Sequence, residues 1–128
     1  MIRQNPFAAL MSMTDRTWAR HANPWSFWTR VPLLALFSLV IHLRGPLGHW
    51  TWAALAALAI WTVLNPRAFP QPASTDHWTS KATFGERVWL NRQTIPIPAH
   101  HERWAIVLST ASALCLLPLA WGLWILDP

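Results

Sequence analysis

Apolar residues gather into three blocks along the chain, at 31–43, 50–64 and 104–126, in place of the mixed rhythm that builds a water-facing surface around a core. The last block, "WAIVLSTASALCLLPLAWGLWIL", contains no charge. About 20 helical residues rising roughly 1.5 Å each cross a hydrocarbon layer about 30 Å thick, so this block spans by itself. The middle block reaches that length when it is read from Pro46 through Leu64, with His49 in the headgroup layer. The first is short, and becomes long enough as a helix over 24–43 with Asn23 as N-cap and Pro24 in the first turn. Asn-Pro suits a helix start: proline lacks the N–H that would be orphaned there, and asparagine accepts from one of the exposed amides. The pattern predicts an all-α membrane protein forming a single domain over 1–128, with three transmembrane helices (24–43, 46–64 and 104–126) and amphipathic helices on the cytoplasmic face.

The polar stretches predict the remaining elements. Asn5-Pro6 repeats the helix-start device, and Phe7, Leu10, Met11, Thr14 and Trp18 fall on one stripe, which predicts an interfacial helix over 5–20. "LRGPLGH" holds Gly45, Pro46 and Gly48, so the first two spans are expected to form a tight antiparallel hairpin. Pro32 and Pro118 are expected to kink their helices, and a first span broken at Pro32 into a re-entrant piece is the alternative. The connecting segment 65–103 opens with "NPRAFPQPAST", read as extended after a helix that ends at Asn65-Pro66. Ser74, Thr75 and Asp76 are alternative N-caps for an amphipathic helix over 76–91, whose Trp78, Ala82, Gly85 and Trp89 form one narrow stripe. "IPIPAHHER" is expected to return in extended form before Trp104.

Composition strengthens the membrane expectation: hydrophobic residues make up 53% and charged residues 12%, about half the charged content of an ordinary globular protein. Tryptophans cluster at block ends (Trp18, Trp25 and Trp28; Trp50, Trp52 and Trp61; Trp104, Trp121 and Trp124), where an indole prefers a membrane interface. The N-terminal segment, taken through the start of the first span, carries Arg3, Arg16, Arg20 and Arg30, and Arg67, Lys81, Arg87, Arg92 and Arg103 lie between the second and third; only Arg44 lies in the hairpin turn. The positive-inside rule then predicts the bacterial inner membrane with the N-terminus and 65–103 cytoplasmic and the C-terminus outside. Residues 1–20 show neither a central apolar run nor an Ala-x-Ala site, so no cleavable signal peptide is expected. A net charge of +5 and a pI near 11.5 are explained by this topology and by anionic lipid, so no nucleic-acid partner is expected. The single cysteine, Cys115, falls in mid-span and is expected to be a small buried hydrophobe.

The strings "HANPWSFWTR", "NPRAFPQP", "STDHWTSKATFGERVWLNR" and "IPIPAHHER" together resemble a family of small bacterial membrane proteins classed as a domain of unknown function. The resemblance runs from about residue 20 to the end. It implies a polytopic bacterial membrane protein, and it implies no activity and no catalytic residues.

Candidate chemistry lies on the predicted cytoplasmic face. His77, His100 and His101 with Asp76 or Glu86 are candidate ligands for a divalent metal, since imidazole and carboxylate suit zinc, iron or manganese. Their spacing puts no two imidazoles on one helical face, and adjacent histidines on an extended chain point apart. Arg30, Arg67, Arg87 and Arg92 are candidates for lipid phosphates or another anion, set against ordinary positive-inside topology. Glu86-Arg87 and Asn91-Arg92 could equally pin the amphipathic helix to the span ends. His42, Arg44 and His49 flank the outer turn, where interface snorkelling is expected. Ser38, Thr62, Ser109, Thr110 and Ser112 are expected to bond their own helix carbonyls. The chain contains no Gly-rich phosphate loop, Gly-x-Ser-x-Gly nucleophile or Cys-x-x-Cys pair. The favoured function is non-catalytic: an accessory or self-assembling membrane subunit, partnered by lipid and by further copies or a larger membrane complex, with no cofactor. The alternative is a small membrane enzyme or ligand- or metal-binding protein; an oligomeric transporter ranks third.

Overall fold

In the computed structural model, residues 6–125 are described, and every regular element among them is helical. The expected 5–20 helix is two helices, α1 (Pro6–Leu10) and α2 (Asp15–His21). Ser12 takes a positive φ of 51°, and Thr14 then caps α2, its hydroxyl accepting from the Thr17 N–H at 3.2 Å. The break splits the predicted stripe. Phe7 and Leu10 are exposed, whereas Trp18 is buried beside Met13, with Met11 and Leu90 packed against them. Trp18 therefore belongs to a small core and not to an interface belt.

The next helix, α3 (Pro24–Arg30), starts as the sequence predicts: Asn23 Oδ1 accepts from the Trp25 N–H at 2.9 Å and proline opens the first turn. Pro32 interrupts the run before α4 (Leu33–His42). The reversal is a one-turn helix, α5 (Arg44–Leu47), closed by Gly48 at φ 53° and ψ −131°, a conformation that suits glycine. From there α6 (Trp50–Ala68) runs back along α4 and α3. It starts later than residue 46 and continues through Asn65-Pro66 instead of ending there. Pro66 forgoes one amide bond, and that turn is held by side chains: Asn65 is fixed against α3, and Arg67 donates to the Val63 carbonyl at 2.9 Å.

The amphipathic helix is α7 (Trp78–Leu90), and its cap is His77 in place of Ser74, Thr75 or Asp76. His77 Nδ1 accepts from the Thr79 N–H at 3.3 Å. The face α7 buries is Thr79, Ser80 and Thr83, while Trp78, Ala82 and Gly85 look outward. The last helix, α8 (Ala99–Ile125), starts before Trp104 and absorbs "AHHER", so that stretch is helical and not extended. The Pro98 carbonyl accepts from His101 and Glu102 at 3.0 and 3.1 Å and sets this start. At the far end Arg44 donates to the carbonyls of Leu123 (2.7 Å), Trp124 (3.2 Å) and Ile41 (3.0 Å), fastening α8 to the hairpin turn. A cation at a helix C-terminus also opposes its negative end.

Two runs, Pro24–His42 and Ala99–Ile125, are long and apolar enough to cross a membrane. The expectation of three is corrected: α6 has the length, but Trp50, Trp52, Trp61, Thr51, Thr62, Asn65 and Arg67 dilute its hydropathy. Burial is inverted relative to a water-soluble fold. Among the described residues Thr17, His21, Asn23, Ser26, Thr51, Asn65, Thr79, Ser80 and Thr83 are buried, against the apolar Met13, Trp18, Ala22, Leu33 and Pro66. α8 buries none of its described residues, and Cys115 on it is exposed, contrary to expectation. Ser38 and Thr62 do bond their own helices, at 2.8 Å each.

Candidate functional site

The buried polar residues converge where α2, α3, α6 and α7 meet. His21 ends α2, Ser26 and Thr29 lie on α3, and Asn65 comes from the last turns of α6. His21 is 3% exposed, Ser26 0% and Asn65 1%, so each must find its partners within the protein. A guanidinium only donates, so the Arg30 Nη1 contact at 2.6 Å makes His21 Nε2 an acceptor and assigns the proton to Nδ1. Nδ1–H then donates to Ser26 Oγ at 2.8 Å, and Ser26 donates to Asn65 Oδ1 at 2.7 Å. Asn65 Nδ2 donates to Thr29 Oγ1 at 2.9 Å, and Thr29 donates to the Trp25 carbonyl at 2.7 Å. The order is unidirectional from Arg30 to a helix carbonyl, each hydroxyl accepting one bond and donating the next.

Two further bonds close this end of the molecule. Arg20 Nε donates to the Phe69 carbonyl at 2.9 Å and Asn23 Nδ2 to the Pro70 carbonyl at 3.0 Å, tying down the chain as it leaves α6. Ser80 donates to the Ala22 carbonyl at 2.6 Å, which docks α7 on the end of α2. Among the described residues, every buried side-chain nitrogen or oxygen has a partner. Burial, reinforced by the Arg30 charge, lowers the His21 pKa from 6.5 to about 4, so this imidazole is neutral at pH 7. The Ser26–His21 pair is not a nucleophile and its base. In such a pair the serine hydroxyl donates to a bare ring nitrogen, whereas here the ring donates to the serine and the serine proton is committed to Asn65.

Beside this relay lies a pocket of about 220 Å³ with Phe7, Met11, Met13, Trp18 and Leu90 on its apolar side and His21, Arg30 and Glu86 on its polar side. It is smaller than the roughly 300–1,000 Å³ typical of drug-sized ligands. Arg30 and Glu86 face one another across it at 3.5 Å, a loose ion pair between partly exposed side chains.

The sequence-proposed candidates distribute differently. Among the described residues no three His, Cys, Asp or Glu side chains come together as metal ligands. His77 caps α7, Asp76 turns back on Ser74, and Glu86 faces Arg30. His100 and His101 do meet, their rings 4.0 Å apart on the first turn of α8, because that stretch is helical. The arginines are engaged by the protein: Arg30 as above, Arg67 with the Met11 and Ser12 carbonyls, Arg87 with Asp15, and Arg92 over the Trp89 ring. Asn91 bonds the Arg87 carbonyl at 2.8 Å. Ser26 and Thr29 are the residues that sequence reasoning passed over. One signal was available, an asparagine near the end of an otherwise apolar helix, which needs a polar partner across the packing interface.

A family model described as a family of unknown function, DUF6653, matches residues 4–128. The chain belongs to that family. Both Asn-Pro pairs of the relay end, Asn23-Pro24 and Asn65-Pro66, and every residue of the relay fall inside the matched span. No curated protein and no solved structure matches the chain.

Proposed function

We propose that this DUF6653 protein is a small integral membrane protein of the bacterial inner membrane, serving as a non-catalytic accessory or self-assembling subunit. The observation that carries this is the inverted burial: polar side chains are inside and satisfied, while leucine, isoleucine, valine and tryptophan cover the outside of α3, α4, α6 and α8. Such a surface is stable against lipid and unstable in water. Exposed tryptophans support the depth. On α8, Trp104 in the second turn and Trp121 and Trp124 near the end lie about 26 to 30 Å apart at roughly 1.5 Å per residue, which matches a hydrocarbon core. Trp25 and Trp28, at the start of the run Pro24–His42, are exposed as well, where an indole suits the membrane interface. The arginine-rich end around the relay faces the cytoplasm, and α8, anchored at one end by Arg44, offers its flank to lipid or to a second subunit. Membrane extraction at alkaline pH followed by native mass determination tests this. A protein that stays with the membrane and is released as an oligomer or with another membrane protein supports it; a monomeric, freely soluble protein overturns it.

Ligand binding is the second function favoured, by the pocket in which His21, Arg30 and Glu86 stand over an apolar wall. Replacing Arg30 and Glu86 together by glutamine would then abolish retention of a co-purifying small molecule without changing assembly.

A further inference from the structure

One stripe of α7, about 100° wide at roughly 100° per residue, carries the exposed Trp78, Lys81, Ala82 and Gly85 and the half-buried Trp89. Arg92, just past the helix, continues the stripe. Its guanidinium lies 4.1 Å from the Trp89 ring centroid and donates to the Trp89 carbonyl at 3.1 Å. Midway, a Cβ built on Gly85 would meet nothing within 4 Å, so no part of the described protein covers the stripe there. One end joins the aromatic residues of α3: Trp78 packs edge-on against Phe27 at 5.0 Å and Trp28 at 5.9 Å, at the start of the membrane-length run Pro24–His42. The carboxylates near α7 are elsewhere. Glu86 is turned to the side toward Arg30, Asp15 holds Arg87 on the opposite face, and Asp76 precedes the helix and bonds Ser74. The stripe thus presents two cations, no anion and an indole at each end.

We propose that this stripe docks on anionic lipid headgroups, with Lys81 and Arg92 holding phosphate oxygens while Trp78 and Trp89 seat in the interfacial layer. The inference rests on the membrane assignment above. It also changes which residues meet lipid: Arg30, Arg67 and Arg87 bond to other segments of the protein, and the exposed Lys81 and Arg92, the latter lying on Trp89 of the same stripe, take their place. An indole with a cation one turn later, twice on one face, is the combination that an anionic interface selects, because the ring prefers the headgroup layer and the ammonium or guanidinium reaches the phosphates.

The test is lipid counting by native mass spectrometry on the full chain in nanodiscs of phosphatidylcholine and phosphatidylglycerol in equal parts. The expected result is retention of phosphatidylglycerol about tenfold in preference to phosphatidylcholine, given the attraction of each cation near an anionic surface. Lys81→Gln with Arg92→Gln should abolish the preference, and Arg16→Gln with Arg103→Gln, which removes two other exposed cations, should preserve it. Equal preference in both double variants, or none in the natural chain, overturns the proposal while the membrane assignment stands. Failure of the natural chain to enter a phosphatidylcholine nanodisc overturns both. Unchanged circular dichroism melts in detergent confirm that each variant is folded.

Discussion

His21 sits between a guanidinium and a hydroxyl, and both neighbours demand the same protonation state. With a folded pKa near 4 against 6.5 when unfolded, the unfolded chain binds more protons between those values. Stability from the neutral ring is therefore fully present above about pH 6.5 and is lost as the pH falls toward 4. At about 1.4 kcal/mol per pKa unit, the loss reaches roughly 3 kcal/mol below pH 4. Denaturant melts from pH 7 to 4 in detergent should show this slope, and His21→Gln should flatten it while lowering stability at pH 7. Asn65→Leu leaves the buried Ser26 hydroxyl and the half-buried Thr29 hydroxyl without this partner and should cost about 1–3 kcal/mol by the same melts, whereas Ser38→Ala, which removes only a bond to its own helix on an exposed side, should cost under about 0.5 kcal/mol. Asn23 was legible as a cap because its role is local. Ser26 and Thr29 were not, since their partner lies 39 and 36 residues away and only packing α6 against α3 brings it near.

At the level of elements, what the sequence made legible was every helix whose signal is local. Apolar run length located α4 and α8, Asn23-Pro24 set the start of α3, and Gly48 marked the hairpin turn. Helix ends set by tertiary contacts were missed. α6 runs through Pro66 because side chains of another helix hold its last turn, and α8 starts early because the Pro98 carbonyl serves its first amides. The face of α7 was read from its large residues, but small hydroxyls are what allow close approach to α2 and α3, so Thr79, Ser80 and Thr83 turned inward and Trp78 outward. Two elements give direct tests. Gly48→Ala forces a side chain onto a positive φ and should destabilise by about 1–3 kcal/mol in thermal melts. Arg44→Gln removes donors to the Leu123 and Trp124 carbonyls, so amide exchange should rise at least severalfold near residues 119–125 and stay unchanged in α7.

For the molecule as a whole, the polar end is closed on itself and the apolar flanks are open. At the polar end the histidine, serine, asparagine and arginine are bonded to one another and lock α2, α3 and α6 together. That division identifies the native cysteine as a reporter of depth. Cys115 is exposed on α8, about halfway between Trp104 and Trp124, so nothing in the described protein shields it and only lipid or a partner can. The measurement to make is the reaction of a water-soluble maleimide with Cys115 in the natural chain reconstituted as single copies in phosphatidylcholine nanodiscs, beside a Glu102→Cys, Cys115→Ala variant. A membrane-spanning α8 requires Cys115 to stay unlabelled until the lipid is dissolved while residue 102 labels at once. Rapid labelling of Cys115 in the intact nanodisc would show that α8 lies in water and would contradict the membrane assignment.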